Sequence, residues 1–282
     1  MKLAARRHVI EFPRRPLVMG IINLVEDSFS GDGISDPDVA MARARQMIAD
    51  GADIIDAGGE SAGTKRAVMS EQEEIDRLCP FIEKFLALEN APPLSINTWR
   101  PNVARAALAA GGDILNDISG MPSDENAWIC AEYGAALLIM HTVGEPKVKH
   151  THVRYDDVMQ TLENFFEEKI AIAMEAGVPR DAIIIDPGID FAKQRGDNLT
   201  IFRELARLQK FERPILLPVS RKTVIGEVLD IPDASQRDAG TVACIVSGMS
   251  RDASIFRVHN VKAAAQAVRT VYAVEQVQSC FA

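Results

Sequence analysis

The stretch "PDVAMARARQMIADGADIIDAGGE" (37–60) changes its period halfway through. Its first part spaces apolar residues as an amphipathic helix does, and Gly51 follows as a stop. Residues 52–58 then form a short, almost unbroken apolar run, as in a parallel strand covered on both faces. Gly58 and Gly59 end that run and let the backbone turn sharply. A lone acid, Glu60, opens a polar loop that continues as "SAGTKR" (61–66).

The same punctuation recurs. Strand-like runs lie at 16–22, 52–58, 93–97, 112–117, 135–141, 182–188, 214–220 and 253–259, each rich in Ile, Leu or Val. Helical patterns lie between them: "SEQEEIDRLCPFIEKFLALE" (70–89) opens on a capping-box sequence, and "RPNVARAALAAGG" (100–112) has Pro101 near its start and glycines at its end. Longer patterns cover 154–177, 198–211 and 260–278. Eight alternating β and α units over about 250 residues predict an α/β protein of the (β/α)8 TIM barrel type. An open doubly wound sheet is the alternative, but it more often uses about six strands, and the first run here lacks a G-x-G-x-x-G turn. Residues 1–15 read as an N-terminal extension or added hairpin, leaving 16–282 as a single domain.

Composition narrows the function classes. Of 282 residues 47% are apolar, enough for a sizeable core, and the formal charge of −9 argues against nonspecific binding to nucleic acid or anionic membranes. No stretch reaches the roughly 18 apolar residues of a membrane span. The start "MKLAARRHVIEF" lacks the apolar segment of a secretory signal. Cys79, Cys130, Cys244 and Cys280 have neither paired nor metal-type spacing, and read as thiols in a reducing, cytoplasmic compartment.

In a barrel of this kind the active site lies at the C-terminal ends of the strands. Those ends carry Asn23, Asp56 and Glu60, Asn97, Asn116 and Asp117, His141, Asp186, Ser220 with Arg221 and Lys222, and Arg257 with His259. Asn116, Asp186 and Lys222 suit a flat heterocycle, because a carboxylate accepts two parallel N–H donors. Lys222, Arg221, Arg257 and His259 suit an anion such as diphosphate. Asn23 offers an amide oxygen to a hard cation. Each residue taken singly also has a plainer reading. An Asp or Asn at a strand end is commonly a cap or turn former; Glu60 can serve the amides of its own loop; His141 can be a satisfied rim histidine; His150 and His152 lie in a polar connector.

Eight segments, in order, carry a resemblance to one family: "MGIINLVEDSFSGDG" (19–33), "GADIIDAGGES" (51–61), "LSINT" (94–98), "GGDILNDISG" (111–120), "LLIMHTVGEP" (137–146), "IIIDPGIDFAK" (183–193), "SRKTVIG" (220–226) and "FRVHNV" (256–261). From about residue 16 onward the chain resembles dihydropteroate synthase. The resemblance implies a (β/α)8 barrel, typically dimeric, that joins 6-hydroxymethyl-7,8-dihydropterin diphosphate to 4-aminobenzoate. It places pterin contacts on Asn97, Asn116, Asp186 and Lys222, and diphosphate contacts on Asn23, Arg257 and His259. It places Mg²⁺ on Asn23 and the aminobenzoate on Ser220. Asp186, Lys222, Arg257 and His259 are the expected catalytic set.

The chain departs from the family pattern at several of these places. Val25 and Glu26 stand for Thr-Pro in the first loop, and Ala62 and Gly63 for Thr-Arg in the second, where Lys65 or Arg66 is the candidate replacement cation. Asn97 stands for an aspartate, Asp190 and Pro218 for glycines, and Asn260 for an aspartate. The pattern implies a retained pterin–diphosphate half and an altered amine half, with changed sulfonamide sensitivity. Asp190 is a candidate to restore the charge lost at Asn97. A pterin-dependent methyltransferase shares the barrel and cradle but lacks the S-R-K and R-x-H elements present here. A pterin-binding paralogue without turnover is the remaining alternative. Gly31, Gly33, Gly58, Gly59 and Gly63 predict mobile loops at 23–35 and 60–70.

Overall fold

The computed structural model describes residues 1–25, 33–34, 36–60, 69–148, 150 and 152–276. A two-stranded antiparallel hairpin, β1 (Lys2–Ala5) and β2 (His8–Glu11), precedes the barrel. Eight parallel strands follow: β3 (Leu17–Asn23), β4 (Ile54–Gly58), β5 (Leu94–Asn97), β6 (Ile114–Asp117), β7 (Ala136–Met140), β8 (Ile183–Asp186), β9 (Leu216–Pro218) and β10 (Ile255–Val258). Each expected strand run covers one of them, except that β3 runs one residue past the expected 16–22 to Asn23. The helices are α1 (Pro37–Asp50), α2 (Glu71–Leu86), α3 (Pro101–Ala110), α4 (Glu125–Tyr133), α5 (Val158–Glu175), α6 (Arg195–Glu204), α7 (Thr223–Leu229), α8 (Asp238–Met249) and α9 (Val261–Gln276).

The strands hydrogen-bond in the order β8-β7-β6-β5-β4-β3-β10-β9. A single bridge, Ile185 to Ile215, joins β8 to the segment leading into β9 and closes the ring, with the Ile185 N–H on Pro214 O at 3.1 Å. This is the (β/α)8 barrel. A strand covered inside by barrel side chains and outside by helices must be apolar on both faces, and β3, β4, β7 and β8 are buried along almost their whole lengths.

Local chemistry sets the element ends. Asp36 caps α1 by accepting from Asp38 N and Val39 N, and Gly51 ends it at φ 106°, a left-handed turn that glycine enters without steric cost. Ser70 and Glu73 form the expected capping box on α2. The hairpin fastens to the N-terminal end of the barrel. Arg6 donates to Leu108 O and Gly112 O at 2.8 and 3.2 Å, and Arg7 to Asp113 Oδ2 at 3.2 Å, just before β6.

Candidate functional site

Parallel register places the polar strand ends side by side. Asn97 on β5 pairs with Asn116 on β6 and with Gly58 on β4; Met140 pairs with Asp186; Arg257 on β10 lies between Met19 on β3 and Pro218 on β9. Neighbouring strands are about 4.8 Å apart, so these residues share one rim.

At its centre is Asp56, on β4 and wholly buried. Its Oδ1 accepts from Ser95 Oγ at 2.6 Å and from Asn116 Nδ2 at 3.1 Å. Its Oδ2 accepts from Arg257 Nε, and Arg257 Nη2 also lies 2.7 Å away. Four donors therefore satisfy a carboxylate that burial would otherwise penalise. Asn116 turns its NH₂ toward Asp56, which leaves its carbonyl oxygen as an acceptor for something else. The Asn97 side chain makes no hydrogen bond among the described residues, though it is only 9% exposed.

Asp186 ends β8. Its Oδ1 accepts the Gly188 N–H at 2.7 Å. Burial pushes its carboxyl up to about 6, against the pull of Gly188 N–H and of Lys222, Lys193 and Arg257. Three cations therefore converge on one acid. Lys222 donates to Ile189 O at 2.8 Å and lies 4.9 Å over the Phe191 ring. Burial holds its ammonium below the usual range, while Asp190 and Asp186 favour the charged form.

Lys193, which the sequence reading assigned no role, is buried behind Asp186. It contacts His141 Nδ1 at 2.9 Å, Phe191 O at 3.0 Å and His141 O at 3.3 Å. Burial lowers its pKa to about 7, and burial together with Lys193 lowers that of His141 to about 2. His141 is thus neutral and accepts from Lys193, the plainer of its two readings.

Ser220 accepts the His259 backbone N–H on its Oγ at 3.1 Å, and that Oγ lies 2.7 Å from His259 Nδ1. With Nδ1 engaged by Ser220, Nε2 is the ring nitrogen that points away from Ser220. Arg221 does not join the anion-binding set: Asp238 holds its guanidinium at 2.8 and 3.2 Å. Asn260 also belongs to the framework, donating to Asp238 at 3.0 Å and accepting from Ala263 N in the first turn of α9. Asp117 is a turn former, taking Ser119 N, Ser119 Oγ and Asn126 Nδ2. Both oxygens of Asp190 are committed to α6 and α7.

Asn23 ends β3, half-buried, with its carbonyl accepting Ile34 N at 2.9 Å. Glu60 accepts Met69 N at 3.2 Å, pairs with Lys147, and lies 2.7 Å from Arg100, which also binds Glu74 at 2.7 Å. This buried ionic network ties together the segments after β4, β5 and β7, so Glu60 serves amides of its own loop and more. Lys65 and Arg66 lie outside the described residues, as do Ala62 and Gly63, Gly31, and most of the 23–35 and 60–70 segments whose mobility the glycines suggested.

The family model described as "Pterin binding enzyme" matches residues 19–259. Over 260 residues the chain is 38% identical to the dihydropteroate synthase of Synechocystis, covering 92% of this chain and 90% of that one. It is 37% identical over 277 residues to a folate synthesis bifunctional protein of Arabidopsis thaliana, covering 93% of this chain but only 57% of that protein's length. The crystal structure of Yersinia pestis dihydropteroate synthase with a sulfonamide drug complex superposes with a TM-score of 0.91 at 34% identity, covering 98% of this chain and 100% of that chain.

Proposed function

Because the chain belongs to the dihydropteroate synthase family of pterin-binding enzymes, we propose that its barrel, residues 16–282, runs that family's transfer reaction on the rim described above. It condenses 6-hydroxymethyl-7,8-dihydropterin diphosphate with 4-aminobenzoate and releases diphosphate, a step of folate biosynthesis. The observation that carries the assignment is Asp56. One buried carboxylate holds both Asn116, on the heterocycle side, and Arg257, on the anion side, so the two subsites are contiguous.

The residues divide the work by chemistry. Asp186 presents its carboxylate to the paired N–H groups of the pterin. Asn116 offers its carbonyl oxygen, Asn97 beside it offers both ends of an amide, and Lys222 donates to the ring edge. Arg257 and His259, through its Nε2 edge, hold the diphosphate. The Asn23 amide is a hard, neutral oxygen donor, which suits Mg²⁺, an ion that keeps several waters and takes few protein ligands beside substrate phosphates. Bound there, Mg²⁺ would neutralise charge on the departing diphosphate.

The bond between the pterin methylene and the diphosphate oxygen breaks, and its electron pair leaves with diphosphate. Arg257 and His259 stabilise that charge in a partly desolvated site. The methylene becomes a cation delocalised into the ring, offset by Asp186. The arylamine nitrogen then forms the new C–N bond and loses one proton to solvent. No covalent link to the protein is needed, and positioning supplies much of the acceleration. Ser220, with Lys65 and Arg66, is assigned to the amine side, where altered loop residues imply changed sulfonamide affinity.

A homodimer, typical of the family, is the expected assembly. Among the described residues no helix is long and apolar enough to cross a membrane, and the three described cysteines are free. Both facts support a cytoplasmic assignment. The test is to mix the protein with the pterin diphosphate, 4-aminobenzoate and Mg²⁺ and measure diphosphate. Release that requires the amine is expected; neither release nor binding of the pterin diphosphate would overturn the assignment.

A further inference from the structure

We propose that Asp190 is a positioning residue for Lys222: it staples the first turn of α7 to the loop after β8, across the seam where the barrel closes. The proposal rests on the functional reading for the role of Lys222, but not for the staple itself. Asp190 sits at φ 69°, a left-handed conformation that glycine enters freely and an L side chain holds when other bonds secure it. Those bonds are present. Its N–H donates to Asn198 Oδ1 at 2.9 Å, and Asn198 Nδ2 returns a bond to Asp190 Oδ1 at 3.2 Å. Thr223 N donates to Oδ2 at 2.5 Å and Val224 N to Oδ1 at 3.2 Å.

These last two donors are the opening amides of α7. The residue in the capping position of that helix is Lys222, which makes no side-chain cap bond. Asp190 therefore supplies from another loop the capping oxygens that α7 lacks in its own sequence. The same short segment holds the Lys222 head group, through Ile189 O at 2.8 Å and the Phe191 ring at 4.9 Å. Lys222 is thus gripped at its backbone end and its ammonium end by three consecutive residues. The glycine of the family pattern would make the same turn and none of the carboxylate bonds.

Charge adds a second consequence. The groups facing Lys222 are Asp186 on β8 and Asp190, which favour its ammonium form, and Arg257 on β10 and Lys193, which oppose it. Burial opposes it most. Removing the Asp190 charge while keeping the side-chain shape must move Lys222 further down, so it loses its proton at lower pH.

The experiment compares the full chain with Asp190→Asn and Asp190→Gly. Each is labelled with lysine carrying ¹³C at Cε, and the Lys222 signal is assigned by its loss in Lys222→Met. Asp190→Gly keeps the left-handed turn without strain, which separates folding failure from loss of the staple. In ligand-free Asp190→Asn the Lys222 titration is expected at lower pH than in wild type. In both variants KM for the pterin diphosphate should rise about tenfold, with KM for 4-aminobenzoate unchanged. The alkaline limb of kcat/KM should follow the Lys222 titration downward. An unmoved Lys222 titration, with KM for the pterin diphosphate within about twofold of wild type, overturns the proposal and leaves the functional reading standing. A shifted titration in a protein that binds no pterin diphosphate supports the staple and overturns the functional reading instead.

Discussion

Asp56 and Asp113 are both wholly buried aspartates of the same barrel, one at the rim and one at the base. Asp113 Oδ2 accepts Leu94 N at 2.9 Å and Arg7 Nη2 at 3.2 Å, with His8 Nε2 at 3.7 Å, while its Oδ1 receives no hydrogen bond. Burial pushes its carboxyl up. Asp56 has four donors divided between two oxygens. The deeper difference lies in the partners. Arg7 and His8 reach in from the surface and serve to fasten a hairpin. Asn116 and Arg257 each keep hydrogen-bonding capacity beyond Asp56, and Asp56 fixes where that capacity points. Burial of an acid alone does not distinguish the two; what differs is that the spare donors and acceptors around Asp56 belong to rim residues, whereas those around Asp113 face solvent at the base.

The contrast breaks if the two aspartates respond alike to truncation. Asp56→Ala should lower kcat/KM by about 100- to 1,000-fold and stability by about 3 kcal/mol, because it leaves a guanidinium, a hydroxyl and an amide without their acceptor. Steady-state kinetics and urea unfolding measure both quantities.

In Asp186→Asn activity and stability should move in opposite directions. The folded chain binds the Asp186 proton more tightly than the unfolded chain, about 6 against the ordinary 3.8. The ionised acid therefore costs stability above pH ~6, and wild type regains it as pH falls toward ~4. At pH 7 the Asn variant should be more stable by about 1–3 kcal/mol and about 100-fold less active. Wild-type kcat/KM should show an acid limb near pH 6, the value for Asp186. A variant less stable than wild type at pH 7 would count against this account of the carboxylate.

The smallest effect is expected at the base. Asp113→Ala should cost about 1–2 kcal/mol, since Arg7 and His8 are partly solvated and only the Leu94 N–H is left buried without its acceptor, and leave kcat/KM within about twofold of wild type. A large loss of activity would show that the base and the rim are coupled.

All eight barrel strands were legible because a strand covered on both faces has to be apolar and short. Three helices were not. α7 has seven residues with Gly226 inside it, and α8 carries Gly240 and Gly248, so neither has strong helical propensity. Packing explains the glycines. A methyl group at Gly240 would come within 2.4 Å of Ile225 Cγ2, and one at Gly248 within 2.7 Å of Phe256 Cε1. α4 is nine residues long and opens without a side-chain cap. At the site, position along the strands was enough to pick out the rim residues. Their partners were not legible, because Asp56 meets Arg257 across 201 positions and Lys193 meets His141 across 52. Nothing local in the sequence marks either pair.

The ring's closure carries one last consequence. Seven of its junctions are ladders of three to five residue pairs; the eighth, between β8 and the approach to β9, is one pair among the described residues. Asp186 ends the strand on one bank of that junction and Lys222 follows the strand on the other. Everywhere else backbone pairing dictates how far apart opposing groups stand. Here the gap is spanned chiefly by bonds that involve side chains, Asp190 and Lys222 among them, so the spacing of the acid and the amine is open to change by single substitutions that leave every ladder intact.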